Sequence, residues 1–288
     1  MSILAQRNGE REFPLSRDDF RFIADLTAER TGIVLGDHKV ELVYSRLSRR
    51  LRQLGLSDFS EYVKRLRSDQ SGEETTILVN AITTNLTRFF RSPEHFDHLQ
   101  STVLPDSLAR IKSGKASRIR IWSAGCSTGE EPYSIAISIL QKLASQTRDL
   151  DVRILATDID TNMLDVAASG IYADDSLVEM SPQIRQRFFD ADKGGEVLRW
   201  RVKREVRDLV TFKKLNLLSD WPMRRAFDAI MCRNVMIYFD PHTKEGLVNR
   251  FADILRPRGW LYLGSSESLT SAPPTLAREG STIYRSNP

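Results

Sequence analysis

The chain has 288 residues, 41% of them hydrophobic and 28% charged, and its formal net charge is +4. That composition belongs to a globular protein of one large or two ordinary domains. No run of the roughly 18 consecutive apolar residues that a membrane-spanning helix needs occurs in the sequence, and two cysteines with four scattered histidines give no zinc-ligand spacing.

From the N-terminus, MSILAQRNGEREF carries no apolar signal-peptide core, so a cytoplasmic protein with free thiols is expected. SRDDFRFIADLTAERTG offers Ser16 and Asp19 as a capping box, Phe20, Ile23 and Leu26 at helical spacing, and Gly32 as a stop. DHKVELVYSRLSRRLRQLG carries an inward stripe of Val40, Val43, Leu47, Leu51 and Leu54, while SDFSEYVKRLR and EETTILVNAITT read as two shorter helices. Residues 1–84 are therefore predicted to form a helical domain, followed by a linker helix over 85–105. Arg46, Arg49 and Arg50 share one face of the second helix. Between Asp37 and Arg67 eight basic residues stand against four acids, an excess equal to that of the whole chain. A solvated helix face explains such a cluster as well as a docking surface for an acidic partner does.

Beyond residue 105 strands and helices alternate. RIRIWSAG, VRILATD, AFDAIMCRNV, WLYLGSS and STIYRS read as strands, and EEPYSIAISILQKLAS, TNMLDVAASG and PHTKEGLVNRFADILRPRG as helices. The alternation predicts an α/β domain with a parallel sheet covered on both faces. GGEVLRWRVKREVRDLVTF interrupts it and predicts a small antiparallel excursion over about 190–212, with Leu198, Trp200 and Val202 on one face.

IRIWSAGCSTGEEPYS is a strand, a small-residue loop and a helix, the place where open α/β sheets bind ligands. Asp158, ending the next strand, suits ribose hydroxyls. The loop is neither a Walker motif nor G-x-G-x-x-G, which weighs against a dehydrogenase. Glu130 and Glu131 would repel a pyrophosphate, although they serve equally well as favourable charges on a helix N-terminus. A cofactor with adenosine, an ammonium and a carboxylate, but no phosphate, satisfies these features; S-adenosylmethionine is one. Its carboxylate also accounts for NLTRFFR, where Arg88 and Arg91 bracket the apolar pair Phe89 and Phe90. Arg91 would pair with that carboxylate, with at least one phenylalanine in ordinary core.

NLTRFFR, SAGCSTGEEPYSIA, ATDID, FDAIMCRNVMIYF and LGSSESL, in that order, resemble the CheR-type chemotaxis receptor glutamate O-methyltransferases. The resemblance runs from FRFIADLTAERTGIVL to STIYRS. It implies a class I S-adenosylmethionine-dependent, Rossmann-like α/β methyltransferase domain over 106–288, an N-terminal all-helical domain and a small inserted antiparallel β subdomain. It further implies cofactor contacts from Asn85, Thr87, Arg91 and Glu131, from Asp158 at the ribose, from Asn216 and Leu217 at the adenine, and from Arg233 and Asn234 at the amino-acid end. Arg91 and Tyr238 are the implied catalytic residues, Tyr238 near the transferred methyl. Cys126 stands where a smaller residue is expected and is assigned to packing.

The implied reaction methylates glutamate carboxylates of methyl-accepting chemoreceptors and leaves S-adenosylhomocysteine. A carboxylate is already nucleophilic at neutral pH, so no general base is needed. His95 and His98, without an evident partner, are expected on the surface. The receptors' glutamate-rich cytoplasmic helices are the implied partner of Arg46, Arg49 and Arg50, and some members of the family capture a receptor C-terminal peptide by strand addition. A monomer is expected, with no metal, nucleic acid or membrane insertion. A nucleic-acid methyltransferase is the competing reading from the basic charge, but no aromatic stacking pair follows an Asn/Asp-Pro-Pro element. A non-catalytic adaptor is disfavoured because Arg91 and Tyr238 are present.

Overall fold

The computed structural model describes residues 11–143, 150–192, 197–224, 227–269 and 272–287. The chain divides into two compact units. One is built from the chain up to Thr84 together with Tyr238–Thr243, the other from Asn85–Ile237 and the chain from Lys244 onward.

The first unit holds α1 (Arg17–Thr31), α2 (Val40–Leu54), α3 (Phe59–Arg67) and α4 (Glu73–Ile82). Their ends are set locally. The Ser16 hydroxyl accepts from Asp19 N–H while the Asp19 carboxylate accepts from Ser16 N–H, and Asp58 accepts from Glu61 N–H at 2.8 Å. Gly32 and Gly55 close α1 and α2 in the left-handed conformation. Ile23, Val43, Leu47, Leu51, Phe59 and Leu78 are fully buried between the helices, each contributing about 1.5–3 kcal/mol of transfer free energy. Val34 N–H donates to the Tyr238 carbonyl at 3.0 Å, which ties the Tyr238–Thr243 segment to this unit.

The second unit opens with an irregular stretch. The helix expected over 85–105 begins only at Pro93: α5 (Pro93–His98) passes through a π-helical turn (Leu99–Val103) into α6 (Leu104–Lys112). Phe90 (φ +52°) and Ser92 (φ +59°) are left-handed, and Pro93 disfavours a helical residue before it, so 85–92 stays a loop. Nor is 85–105 a free linker, because Phe89, Phe96, Leu99, Val103 and Leu104 join the core of this unit.

β1 (Arg118–Ala124), α7 (Glu130–Leu143), β2 (Asp151–Asp158), α8 (Thr161–Ser169), β6 (Val210–Lys214), β7 (Phe227–Cys232), α11 (Pro241–Ile254), β8 (Leu255–Leu263), β9 (Leu276–Arg278) and β10 (Ile283–Ser286) build the main sheet and its cover. Strand order is β6-β2-β1-β7-β8-β10-β9. The first five strands are parallel, and β10 pairs antiparallel with β8 and β9. Every residue of β7 is buried, as in a central strand covered on both faces.

The small antiparallel sheet has the order β3-β5-β4, from β3 (Ile171–Ala173), β4 (Phe189–Asp192) and β5 (Arg199–Val202), with α9 (Pro182–Phe188) and α10 (Arg204–Arg207) beside it in sequence. It therefore starts earlier than the expected 190–212 and ends sooner. Val210–Lys214 instead pairs parallel with β2 in the main sheet. A three-residue strand directly after Gly170 carries too little periodicity to be seen in sequence.

Candidate functional site

The five parallel strands end on one edge, and the loops leaving that edge carry most of the expected site. Gly125 and Gly129 have φ of +82° and +96°. A Cβ on Gly125 would meet Val235 Cγ2 at 2.3 Å, and one on Gly129 would meet Ala167 Cβ at 2.8 Å, so both positions need glycine. Gly125 and Cys126 N–H both donate to the Thr157 carbonyl, at 2.8 and 2.9 Å. This joins the first loop to the end of β2. There the Asp158 carboxylate accepts from Ser127 N–H at 2.7 Å and from Asp160 N–H at 2.9 Å. Burial pushes Asp158 above its usual range, while these N–H groups pull it back.

Glu131, in the first turn of α7, accepts from the Ser123 hydroxyl at 2.7 Å and from Arg233 Nη1 at 3.2 Å. Burial raises its carboxyl above the usual value, and Arg233 and Ser123 oppose the rise. Arg233 follows β7, donates through Nη2 to the Arg91 carbonyl, and lies against the Phe96 ring at 5.7 Å. Asn234 is left-handed at φ +61°, and its N–H donates to Glu267 at 2.6 Å. Glu267 also accepts from Gly264 N–H at 2.7 Å and Ile237 N–H at 3.1 Å.

The 85–92 loop lies against the same edge. Asn85 Nδ2 donates to Asp160 Oδ2 at 2.9 Å, and its carbonyl accepts from the Ser127 hydroxyl at 3.2 Å. Phe89 is buried edge-on to Tyr172 and Phe189, whereas Phe90 is half-buried and its N–H donates to the Ser134 hydroxyl at 2.9 Å. Only one of the pair is therefore full core. Thr87, Phe89, Phe90, Glu130, Ser176 and Met180 are among the residues lining a cavity of about 290 Å³. The Arg91 guanidinium donates to the Leu86 carbonyl at 3.1 Å, and Arg88 pairs with Glu179 at 2.7 Å. After β6, Leu215 N–H donates to the Asp158 carbonyl at 2.9 Å, and Asn216 Oδ1 accepts from Leu218 N–H at 3.0 Å. Leu217 is buried.

Asn85, Arg91, Glu131, Asp158, Asn216, Leu217, Arg233 and Asn234 thus meet at one sheet edge, with Thr87 at the neighbouring cavity. Tyr238 lies in the helical unit, as do Arg46, Arg49 and Arg50. Arg46 Nη1 donates to the carbonyls of Ala81, Ile82 and Thr83 at the end of α4, and its Nη2 donates to Thr84 Oγ1 at 3.0 Å. Arg50 pairs with buried Glu74 at 2.7 Å; Arg49 is exposed. The surface expected for His95 and His98 is not found. His95 is 1% exposed and sits 2.8 Å from Thr282 Oγ1, and His98 Nδ1 sits 2.8 Å from the Tyr262 hydroxyl. Their partners stand 187 and 164 residues later, Thr282 in the turn before β10 and Tyr262 in β8, which helical spacing does not reveal. Sequence reasoning also passed over Glu267 and Asp160. Glu267 stood inside the quoted LGSSESL, but an acid satisfied by backbone N–H groups has no pairing signal in sequence.

Residues 85–285 match the family model "CheR methyltransferase, SAM binding domain", and residues 18–83 match "CheR methyltransferase, all-alpha domain". "Chemotaxis protein methyltransferase 2" of Pseudomonas aeruginosa is 44% identical over 277 residues, 96% of this chain and 95% of that protein. "Chemotaxis protein methyltransferase" of Escherichia coli is 44% identical over 271 residues, 94% of this chain and 91% of the other. That of Salmonella typhimurium is 42% identical over 284 residues, 98% and 94% of the two chains.

Proposed function

The chain belongs to the CheR methyltransferase family, and on that premise we propose that it methylates specific glutamate side-chain carboxylates of bacterial chemoreceptors, giving glutamate methyl esters for sensory adaptation. The observation carrying this reading is the convergence of Asp158, the Glu131–Arg233 pair and the Asn216–Leu217 turn on one sheet edge. The enzyme is then a protein-glutamate O-methyltransferase.

The cofactor is S-adenosylmethionine, and the residues fit it. Arg233 Nε is buried with no hydrogen-bond partner among the described residues, an open donor suited to a carboxylate. The two Asp158 oxygens accept backbone N–H groups of Ser127 and Asp160 and, with about four lone-pair sites between them, keep capacity for a ribose hydroxyl. In this reading Glu131 meets the ammonium, Arg91, Arg233 and Asn234 the amino-acid end, Asn216 and Leu217 the adenine, and Asn85 and Thr87 line the approach. When bound, the cofactor supplies a methyl group on a positively charged sulfur.

What the chain must do is orient and dry. A glutamate acceptor is ionised at neutral pH, so no proton has to be moved and no general base is assigned. The acceptor's charge is lost as the ester forms, so exclusion of water favours the reaction; the buried rings of Phe89 and Phe96 serve that end. Tyr238 orients the incoming carboxylate by hydrogen bonding, and in-line positioning supplies most of the remaining acceleration.

The partner is the cytoplasmic, glutamate-rich helical part of a chemoreceptor. Docking uses the face carrying Arg46, Arg49 and Arg50, with Arg49 the exposed member. The small sheet, whose β3 and β4 are edge strands, is the place for a receptor C-terminal peptide. The enzyme works as a cytoplasmic monomer; no helix among the described residues is long and apolar enough to cross a membrane. The test uses methyl-labelled S-adenosylmethionine, the purified protein and membranes carrying chemoreceptors. Label released by mild alkali as methanol is the expected result. Alkali-stable label, or none despite cofactor binding, overturns the proposal.

A further inference from the structure

β6 is an edge strand, paired with β2 alone, and the loop leaving it is supported by the sheet on one side only. Within that loop Ser219 N–H donates to the Asn216 carbonyl at 3.1 Å, which folds 216–219 into a tight turn. Two of the turn's other carbonyls, those of Leu217 and Ser219, are met from outside it. Arg250, on α11, donates through Nη1 to the Leu217 carbonyl at 2.8 Å and through Nη2 to the Ser219 carbonyl at 2.5 Å. Trp221 Nε1 donates to the same Leu217 carbonyl at 3.1 Å. The guanidinium lies over the Trp221 ring at 4.0 Å, and that ring stacks on Phe251 at 5.2 Å and meets Trp122 edge-on at 4.9 Å. One planar cation therefore fixes two carbonyls of the turn and is itself fixed by an aromatic wall rooted in β1 and α11.

We propose that Arg250, seated on Trp221, is a positioning residue that sets the shape of the Asn216–Ser219 turn and through it the affinity for the adenosine end of the cofactor. This rests on the assignment of Asn216 and Leu217 to the adenine. The geometry demands arginine: two carbonyls are met by a rigid fork that also stacks on a ring. A lysine ammonium is a compact point charge that cannot do all three. Arg250 touches no reacting atom, so its loss acts on binding and leaves the chemical step alone.

The experiment compares Arg250→Lys, Arg250→Met, Trp221→Phe and, as a control on the site, Asn216→Ala in the full-length protein. Calorimetric titration with S-adenosylhomocysteine and with 5′-methylthioadenosine, which lacks the amino-acid part, is set beside KM and kcat for methyl transfer. Arg250→Lys and Arg250→Met are each expected to raise the Kd for both probes and the KM by at least about tenfold, the loss expected for hydrogen bonds to a charged group, with kcat at saturation within about twofold. Trp221→Phe keeps the ring and loses one donor, so its rise is smaller. Unchanged Kd in both Arg250 variants while Asn216→Ala weakens binding overturns the clamp and leaves the site standing. Unchanged Kd in all of them overturns both. A fall in kcat with KM unchanged, or full rescue by lysine, also overturns the proposal, because either would be the mark of general packing.

Discussion

Arg233 Nη1 stands 3.2 Å from Glu131 Oε2, with the arginine side chain 2% exposed. A pair this deeply buried contributes little over an apolar replacement of both members, but removal of one member strands a charge. Arg233→Met is therefore expected to destabilise the protein by about 3–5 kcal/mol. Glu131→Gln costs less, because the amide oxygen still accepts from Ser123. The double variant should recover part of the Arg233→Met loss. Urea unfolding of the three variants is the measurement, and strictly additive losses would show the two side chains to be uncoupled.

The same pair makes cofactor affinity depend on pH. Burial raises the Glu131 carboxyl above its usual value, opposed by Arg233 and Ser123. Its proposed ligand, an ammonium, needs the ionised form. Affinity is thus full above the raised value and falls as pH drops through it, at a pH higher than the roughly 4.3 of an ordinary glutamate. Titrating S-adenosylhomocysteine into the wild type and Glu131→Gln from neutral down to about pH 4, just below an ordinary glutamate's value, tests this. The wild type should lose affinity toward acid while the variant is weak and flat; parallel curves would remove Glu131 from the ammonium site.

Part of the candidate site is legible in the sequence because it sits in strand–loop–helix motifs whose register is local: Gly125 and Glu131 after β1, and Asp158 at the end of β2; Arg233 and Asn234, after β7, are named through the family resemblance instead. The fold class followed from the same alternation. What escaped was decided by partners distant in sequence. The Arg46 guanidinium faces outward on any helical wheel, yet the carbonyls at the end of α4 claim it. His95 and His98 were misplaced for the same reason, since Thr282 arrives from the turn before β10 and Tyr262 from β8. Three-residue β3 carries too short a pattern for a period-two signal, and the extent of the small sheet was misjudged with it.

His95 carries a stability prediction. Burial, with Arg233 and His98 beside it, pulls its imidazole from 6.5 down to about 3. The unfolded chain takes up this proton below about pH 6.5, whereas the folded chain does not. The histidine's contribution is therefore complete above that value and is lost as pH falls toward 3, at up to about 1.4 kcal/mol per pH unit. His95→Gln should flatten the acid limb of a plot of urea midpoint against pH. An acid limb as steep as that of the wild type would mean that His95 protonates without unfolding.

Docking is best tested at Arg49. Arg46→Glu would break the hydrogen bonds that close α4, and Arg50→Glu would leave Glu74, whose side chain is 6% exposed, facing a like charge. Either variant would confuse unfolding with lost docking. Arg49 is exposed, so reversing its charge should shift stability by no more than about 0.5 kcal/mol and leave cofactor affinity unchanged. Methylation of intact receptor should fall several-fold at low salt, and the gap between variant and wild type should close as ionic strength rises past the point where the Debye length shrinks to a few ångströms. A charge cluster that is only a solvated helix face predicts receptor turnover equal to wild type at every salt concentration, and that result would remove this helix from the docking surface.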